Sequence, residues 1–179
     1  MIVFRHVDPR FPFLWEGLDQ PSARWHGEGE GPVHYFADTP DGAWAEFLRH
    51  EEIRDPADLP TIRRSLWAVE LHEEPAATPK LAESTVRGDH TSYPACQEEA
   101  RRVRRTGVRR IHAPSAALRP GDARGLRVES GLQPGPPRDG RVIVLFGSRP
   151  DLVGWRAVAE GHPGEDILRR VRHFGVRRG

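Results

Sequence analysis

Pro32-Val33-His34-Tyr35-Phe36-Ala37-Asp38-Thr39-Pro40-Asp41-Gly42-Ala43-Trp44-Ala45-Glu46-Phe47-Leu48 changes its hydrophobic spacing halfway along. Pro32 to Ala37 is a short apolar run rich in β-branched and aromatic residues, which reads as a strand. Asp38-Thr39 then offers an N-cap, and Pro40 suits the first helical position because its missing N–H would be unpaired there anyway. Ala43, Trp44, Phe47 and Leu48 recur at helical spacing, and the helix is predicted to end near Glu52, ahead of the Asp55-Pro56 and Leu59-Pro60 breaks. Glu46 falls on the edge of that apolar stripe.

Toward the N-terminus, Met1 to His6 reads as a buried opening strand that stops at Asp8-Pro9 and carries Arg5 at its end. Asp8 to Pro32 has no periodicity and is rich in Pro, Gly and aromatics, so it is expected to be a long irregular segment of the kind that carries function. Ser22-Ala23-Arg24-Trp25 lies in it. Toward the C-terminus, alternation over Ser65 to His72 predicts a strand with Trp67, Val69 and Leu71 on one side. Ser92 to Thr106 predicts an amphipathic helix stopped by Gly107, and Val108 to His112 a following strand. Leu126 to Ser130 is a short apolar run, and Gly131 to Gly140 is too rich in Gly and Pro to hold an element. Arg141 to Phe146 is the clearest buried strand, Leu152 to Ala159 fits strand or helix, and Asp166 to Phe174 reads as a basic terminal helix. Strands interspersed with few helices argue for an α+β fold rather than a doubly wound sheet.

The chain has 179 residues, the size of one domain, and no internal repeat or linker. With 37% hydrophobic and 30% charged residues it is expected to fold. Lys+Arg 27 against Asp+Glu 26 leaves +1, which supplies no field for steering onto nucleic acid or an anionic membrane. Only Lys80 is lysine; the other basic residues are arginine, which suits bidentate phosphate recognition. The single cysteine, Cys96, cannot close an intramolecular disulfide, and neither a secretory leader nor a membrane-spanning run is legible, so a cytoplasmic protein is expected.

Several features read more simply as structure. Gly27-Glu28-Gly29-Glu30-Gly31 precedes a strand rather than a helix, so it is no phosphate loop. The nine histidines form no metal-ligand spacing, and no metal is predicted. Cys96 sits on a helix among apolar residues, as a small core residue does. Arg169, Arg170, Arg172, Arg177 and Arg178 form a basic tail without aromatic interleaving, expected to be a solvated face rather than a nucleic-acid surface. Arg5 is different: an arginine in an apolar stretch must find an anion or a hydrogen-bonding partner once buried.

In chain order, Phe4-Arg5, Ser22-Ala23-Arg24-Trp25, Val33-His34-Tyr35-Phe36-Ala37, Ala43-Trp44-Ala45-Glu46 and Ala113-Pro114-Ser115-Ala116 resemble the RES domain family, named for an arginine, a glutamate and a serine. The resemblance runs from Arg5 to about Phe146. It implies one domain over residues 1–179, with a motif-bearing core of about 1–147 and a C-terminal extension of about 148–179. It also implies a fold like that of ADP-ribosyltransferases, with central mixed or antiparallel β-sheets and a few flanking helices. The implied protein is the toxin of a bacterial toxin–antitoxin pair that consumes NAD+. Arg5, Arg24, Tyr35, Glu46 and Ser115 match the family's functional positions. Phe4 stands where tyrosine is frequent, and Ser22, Ala23 and His26 where Gly-Gly and Asn are commoner.

These five side chains suit that substrate. Arg5 and Arg24 would hold the pyrophosphate, Tyr35 would orient the nicotinamide side, and Ser115 would hold a phosphate or ribose oxygen. Glu46 would bind a ribose hydroxyl and stabilise positive charge at the anomeric carbon as the glycosidic bond breaks. Arg5, Tyr35 and Glu46 are the catalytic candidates. Water as acceptor makes a glycohydrolase, phosphate a phosphorylase, and a host protein side chain an ADP-ribosyltransferase. NAD+ is then a substrate, and no cofactor is expected. The implied partner is an Xre-like antitoxin covering the site, with a homodimer possible and no direct nucleic-acid or membrane contact. A non-enzymatic nucleic-acid-binding or adaptor module acting through the arginine-rich C-terminus is the reading from another class.

Overall fold

Six strands form the central sheet of the computed structural model, which describes residues 1–175. In chain order they are β1 (Ile2–Val7), β2 (Val33–Ala37), β3 (Arg64–Glu70), β4 (Arg110–Pro114), β7 (Arg141–Phe146) and β8 (Val153–Gly161), arranged in space as β4-β7-β2-β1-β3-β8. Every strand pair is antiparallel. A separate hairpin joins β5 (Leu126–Val128) to β6 (Leu132–Pro134). The helices are α1 (Pro40–His50), the one-turn α2 (Glu83–Val86) and α3 (Tyr93–Arg105), with 3-10 turns at Pro56–Thr61, His90–Ser92 and Glu165–Arg170. The expected α+β class is the observed one.

Period-2 alternation sorts the central strands into two packed faces. On β7, Val142, Val144 and Phe146 pack with Cys96, Ala100 and Val103 of α3. Ile143 and Leu145 point the other way, into a cluster with Val3, Phe36, Val69 and Leu71 that the irregular N-terminal segment covers through Phe13 and Leu14. A third cluster gathers Ala43, Trp44, Phe47 and Leu48 of α1 with Leu66, Leu118, Ile167 and Val171. Cys96 is buried, as its helical surroundings predict.

Helix α1 starts where its sequence indicates. The Thr39 hydroxyl accepts from the Gly42 amide at 2.9 Å, Pro40 occupies the first turn, and Arg49 and His50 close the helix beside its carbonyl end. Gly107, at φ 82°, turns the chain after α3 as a left-handed stop. The bonding of β1 opens the cleft: six consecutive pairs tie it to β3, but only Phe4↔Ala37 ties it to β2. The sheet is therefore zipped on one side of β1 and splayed on the other.

Three expectations are corrected. Asp166 to Phe174 is not a helix: a 3-10 turn covers Glu165–Arg170, and the chain then runs on in extended form through a bridge at Val171. The intervals between Ile167, Val171 and Phe174 suit a helix equally well, but the backbone of this stretch is used elsewhere. Arg172 N donates to Ala117 O and Arg119 N to Arg170 O, which edge the segment against another part of the chain. Gly131 to Gly140 does hold an element, β6, because Gly131 at φ 113° and Ser130 at φ 53° make the tight turn a hairpin needs. Arg5 lies in the middle of β1 rather than at its end, opposite Trp67. The open choice at Leu152 to Ala159 resolves as a strand, β8. Arg170 is ion-paired with Asp41 at 2.7 Å rather than free, and Arg177 and Arg178 of the anticipated basic tail lie outside the described residues. Among the described residues, no helix is long and apolar enough to cross a membrane.

Candidate active site

The splayed side of β1 opens into a cleft of about 500 Å³ lined by Arg5, Arg24, Tyr35 and Glu46, together with Arg49, Arg64 and Tyr93. Four of the five expected residues thus meet in one cavity, although they come from a strand, a loop, a second strand and a helix. Its volume lies within the usual range for a small-molecule site.

Arg5 enters from β1. Its guanidinium lies 5.8 Å from the Phe36 ring centroid, and its Nη1 is buried without a hydrogen-bond partner. Burial, with the neighbouring Arg64 charge, pulls its pKa down to about 10. A buried cation with an orphaned donor and a like charge beside it favours an anion.

Arg24 is presented by a two-residue turn. Ala23 and His26 bond each other's backbones at 3.0 and 3.3 Å, and Trp25 is buried beneath. Gln97 of α3 pins the turn by donating to the Ala23 and His26 carbonyls and to Ser22 Oγ. Ser22 therefore gives the turn a side-chain anchor. The guanidinium donates to Gly88 O at 2.8 Å and Ser92 Oγ at 3.1 Å, and it lies 4.7 Å from the Tyr93 ring centroid.

Tyr35 presents a ring rather than a hydroxyl. Its oxygen accepts from the Trp25 amide at 3.1 Å and lies 2.8 Å from His26 Nδ1. Burial pushes the phenol well above its ordinary range and pushes His26 down, so both groups stay neutral and the phenolic oxygen and Nδ1 share a hydrogen bond.

Glu46 and Ser115 form a direct pair. Ser115 Oγ donates to Glu46 Oε1 at 2.8 Å and accepts from the Ala117 and Leu118 amides at 3.2 and 3.1 Å. Its one proton and both lone pairs are therefore committed within the protein, and the side chain is buried. Ser115 is thus placed behind Glu46, orienting the carboxylate, and not at the cleft surface where a substrate oxygen would meet it.

Arg49, Arg64 and Tyr93 are absent from the residues expected on sequence grounds. For Arg49 the signal was its place three residues after Glu46, on the same flank of α1, which reads equally well as an exposed helix pair. Arg64 donates to His6 Nδ1 at 3.2 Å and lies over the Phe47 ring; burial and the adjacent cations bring the His6 pKa down to about 3, which keeps that nitrogen an acceptor. Among the described residues, Arg5, Arg24 and Arg49 make no ion pair with a carboxylate. Among them, too, no cluster of three or more His, Cys, Asp or Glu side chains is arranged to hold a metal. The chemical sum is a concave surface carrying several arginines, one oriented carboxylate and several aromatic rings, Tyr35 and Tyr93 among them.

Among known proteins, a segment of 45 residues is 53% identical to Toxin Res of Pseudomonas putida strain KT2440, amounting to 25% of this chain. This chain spans 30% of the length of that relative. The fold is similar to a chain in the crystal structure of the M. tuberculosis MbcT-MbcA toxin-antitoxin complex, with a TM-score of 0.60 and 14% identity over 88% of this chain and 84% of that one. Residues 3–165 match the RES domain, nine-tenths of the sequence and every side chain of the cleft except Phe174. The chain belongs to the RES domain family.

Proposed function

We propose that this protein is the toxin of a toxin–antitoxin pair and acts by cleaving the bond between nicotinamide and ribose in NAD+. The observation that carries the reading is the single oriented carboxylate, Glu46, set among Arg5, Arg24 and Arg49 in one cleft. A dinucleotide offers a pyrophosphate to the guanidinium groups and a flat cationic ring to an aromatic face. Glu46 then lies among groups able to hold the ribose while positive charge grows at its anomeric carbon. Nicotinamide leaves as a neutral molecule, so this chemistry asks for no strong general acid. Tyr35 contributes its ring, since its hydroxyl is engaged, and Ser115 holds Glu46 in orientation.

The toxin role is supported by the family and by the name of the Pseudomonas putida relative, Toxin Res, and an antitoxin partner by the complex in which the structural neighbour was crystallised. An Xre-like antitoxin that inserts a carboxylate among the cleft arginines would compete with substrate phosphate.

The test is incubation of the purified protein with NAD+, with and without inorganic phosphate, alongside Glu46→Gln, with nicotinamide and ADP-ribose products quantified. Release that depends on Glu46 is expected, and the phosphate dependence names the acceptor. A folded, antitoxin-free protein that releases nicotinamide together with ADP-ribose label on a protein band, and with no free ADP-ribose or its phosphate, would establish transfer instead.

A further inference from the structure

Two arginines of the cleft converge on one backbone oxygen. Arg24 Nη2 and Arg49 Nη2 both donate to Gly88 O, at 2.8 and 2.9 Å. Carbonyls orient a guanidinium without cancelling its charge, and the Arg24 charge lowers the tendency of Arg49 to stay charged. Arg49 is buried, and its pKa is pushed down chiefly by that burial. Glu46 is near enough to favour its charged form but makes no ion pair with it. The fold thus holds two like charges side by side at the wall of a cleft, an arrangement that costs free energy until an anion arrives.

The hold on Arg49 comes from an unexpected part of the chain. Its Nη1 donates to the carbonyl of Arg172, and its guanidinium carbon lies 4.2 Å from the centroid of the Phe174 ring. The Phe174 ring is in turn stacked on His90 at 4.4 Å. Phe174 is itself buried and borders the cleft. Both residues lie after residue 165, where the match to the family ends. The 3-10 turn and the extended run after it, in place of a helix, are what deliver a carbonyl and an aromatic face to this position.

We propose that Arg49 is a phosphate-binding residue of the cleft, acting beside Arg24, and that Arg172 to Phe174 form its positioning element, so that the segment beyond the family-matched residues completes the substrate site. The identity of the phosphate carrier rests on the reading of NAD+ as substrate; the anion site itself does not. Arg49 binds through charge and a fixed fork, and Phe174 acts only through Arg49.

The test uses the full chain with two probes: ADP-ribose for equilibrium binding and NAD+ for turnover. Arg49→Gln is expected to weaken ADP-ribose binding and raise KM by about ten- to a hundredfold, as loss of hydrogen bonds to a charged group does. Phe174→Leu, which keeps bulk but removes the π face, is expected to weaken both by about three- to thirtyfold with kcat nearly unchanged, and Phe174→Tyr to restore them. Wild-type affinity and KM in a folded Arg49→Gln protein would overturn the phosphate role. Wild-type values in folded Phe174→Leu, or an equal loss in Phe174→Tyr, would overturn the positioning role. If Phe174→Leu does not fold, Arg49→Lys carries that part, because lysine keeps the charge but cannot bridge Gly88 and Arg172; full retention of affinity then counts against the segment. Wild-type protein that binds ADP-ribose yet leaves NAD+ intact refutes NAD+ cleavage alone, and the variants' dissociation constants still decide the inference. Wild-type protein that binds no ADP-ribose overturns the inference outright.

Discussion

Glu46 and Ser115 are a carboxylate and its orienting donor, and they should fail differently. Glu46→Gln keeps the size and the Ser115 contact but removes the negative charge, so nicotinamide release should fall by about a hundredfold or more with the fold intact. Unfolding of this variant, or full activity in it, would count against a catalytic carboxylate. Ser115→Ala removes the donor to Glu46 and leaves the Ala117 and Leu118 amides without their acceptor. It should therefore lower kcat by about ten- to a hundredfold and also reduce thermal stability, whereas a surface serine that merely touched substrate would move KM alone. The residue types of this pair were legible in the sequence; their direct contact was not, because the two lie far apart in the chain.

At the scale of elements, α1 and the β5–β6 hairpin stand at opposite extremes. Helix α1 is capped, buried on nearly all sides from Gly42 to Arg49 and carries Glu46 and Arg49, so its start matters to both stability and the site. Thr39→Ala should cost about 1 kcal/mol in chemical unfolding, with Thr39→Ser close to neutral. In the hairpin, Leu126, Val128 and Leu132 are 70%, 83% and 70% exposed, so they hold little of the core. Replacing Val128 with Thr should change unfolding free energy by less than about 0.5 kcal/mol; a larger loss would mean that the hairpin packs in solution. The cap and the 3.6-residue spacing were visible in the sequence, since both are local signals. The hairpin was not, because Gly and Pro that break one element also make the turn of another.

Across the whole molecule, buried neutral histidines set a pH dependence. Burial, with nearby arginines, holds His6 down to about 3 and His34 to about 4, against an ordinary value of 6.5. His26, His112 and His173 are displaced the same way, with burial the leading cause. The unfolded chain therefore binds more protons than the folded one once the pH drops below 6.5, and stability is lost as pH falls from there toward the folded values. The urea midpoint should be lower at about pH 5.5 than at about pH 7.5, above the range where carboxylates titrate. A flat or opposite trend would show that these imidazoles gain partners or water in the folded state.

Local signals in the sequence determined most of the elements: the strand before α1, the helix itself, the glycine stop after α3, and β7. The ordered motifs around Arg5, Arg24, Tyr35, Glu46 and Ser115 determined the family and with it the fold class. What only the tertiary structure decided is how charge is distributed in the cleft. That depends on β1 being zipped to β3 and splayed from β2, on one carbonyl, Gly88, receiving two guanidinium groups, and on a C-terminal segment that folds back to hold Arg49. Periodicity reports which face of an element is buried, but it carries no information on which distant carbonyl or ring will meet a side chain there. Long-range contacts of that kind arise only when the packed sheet brings separate parts of the chain within a few ångströms.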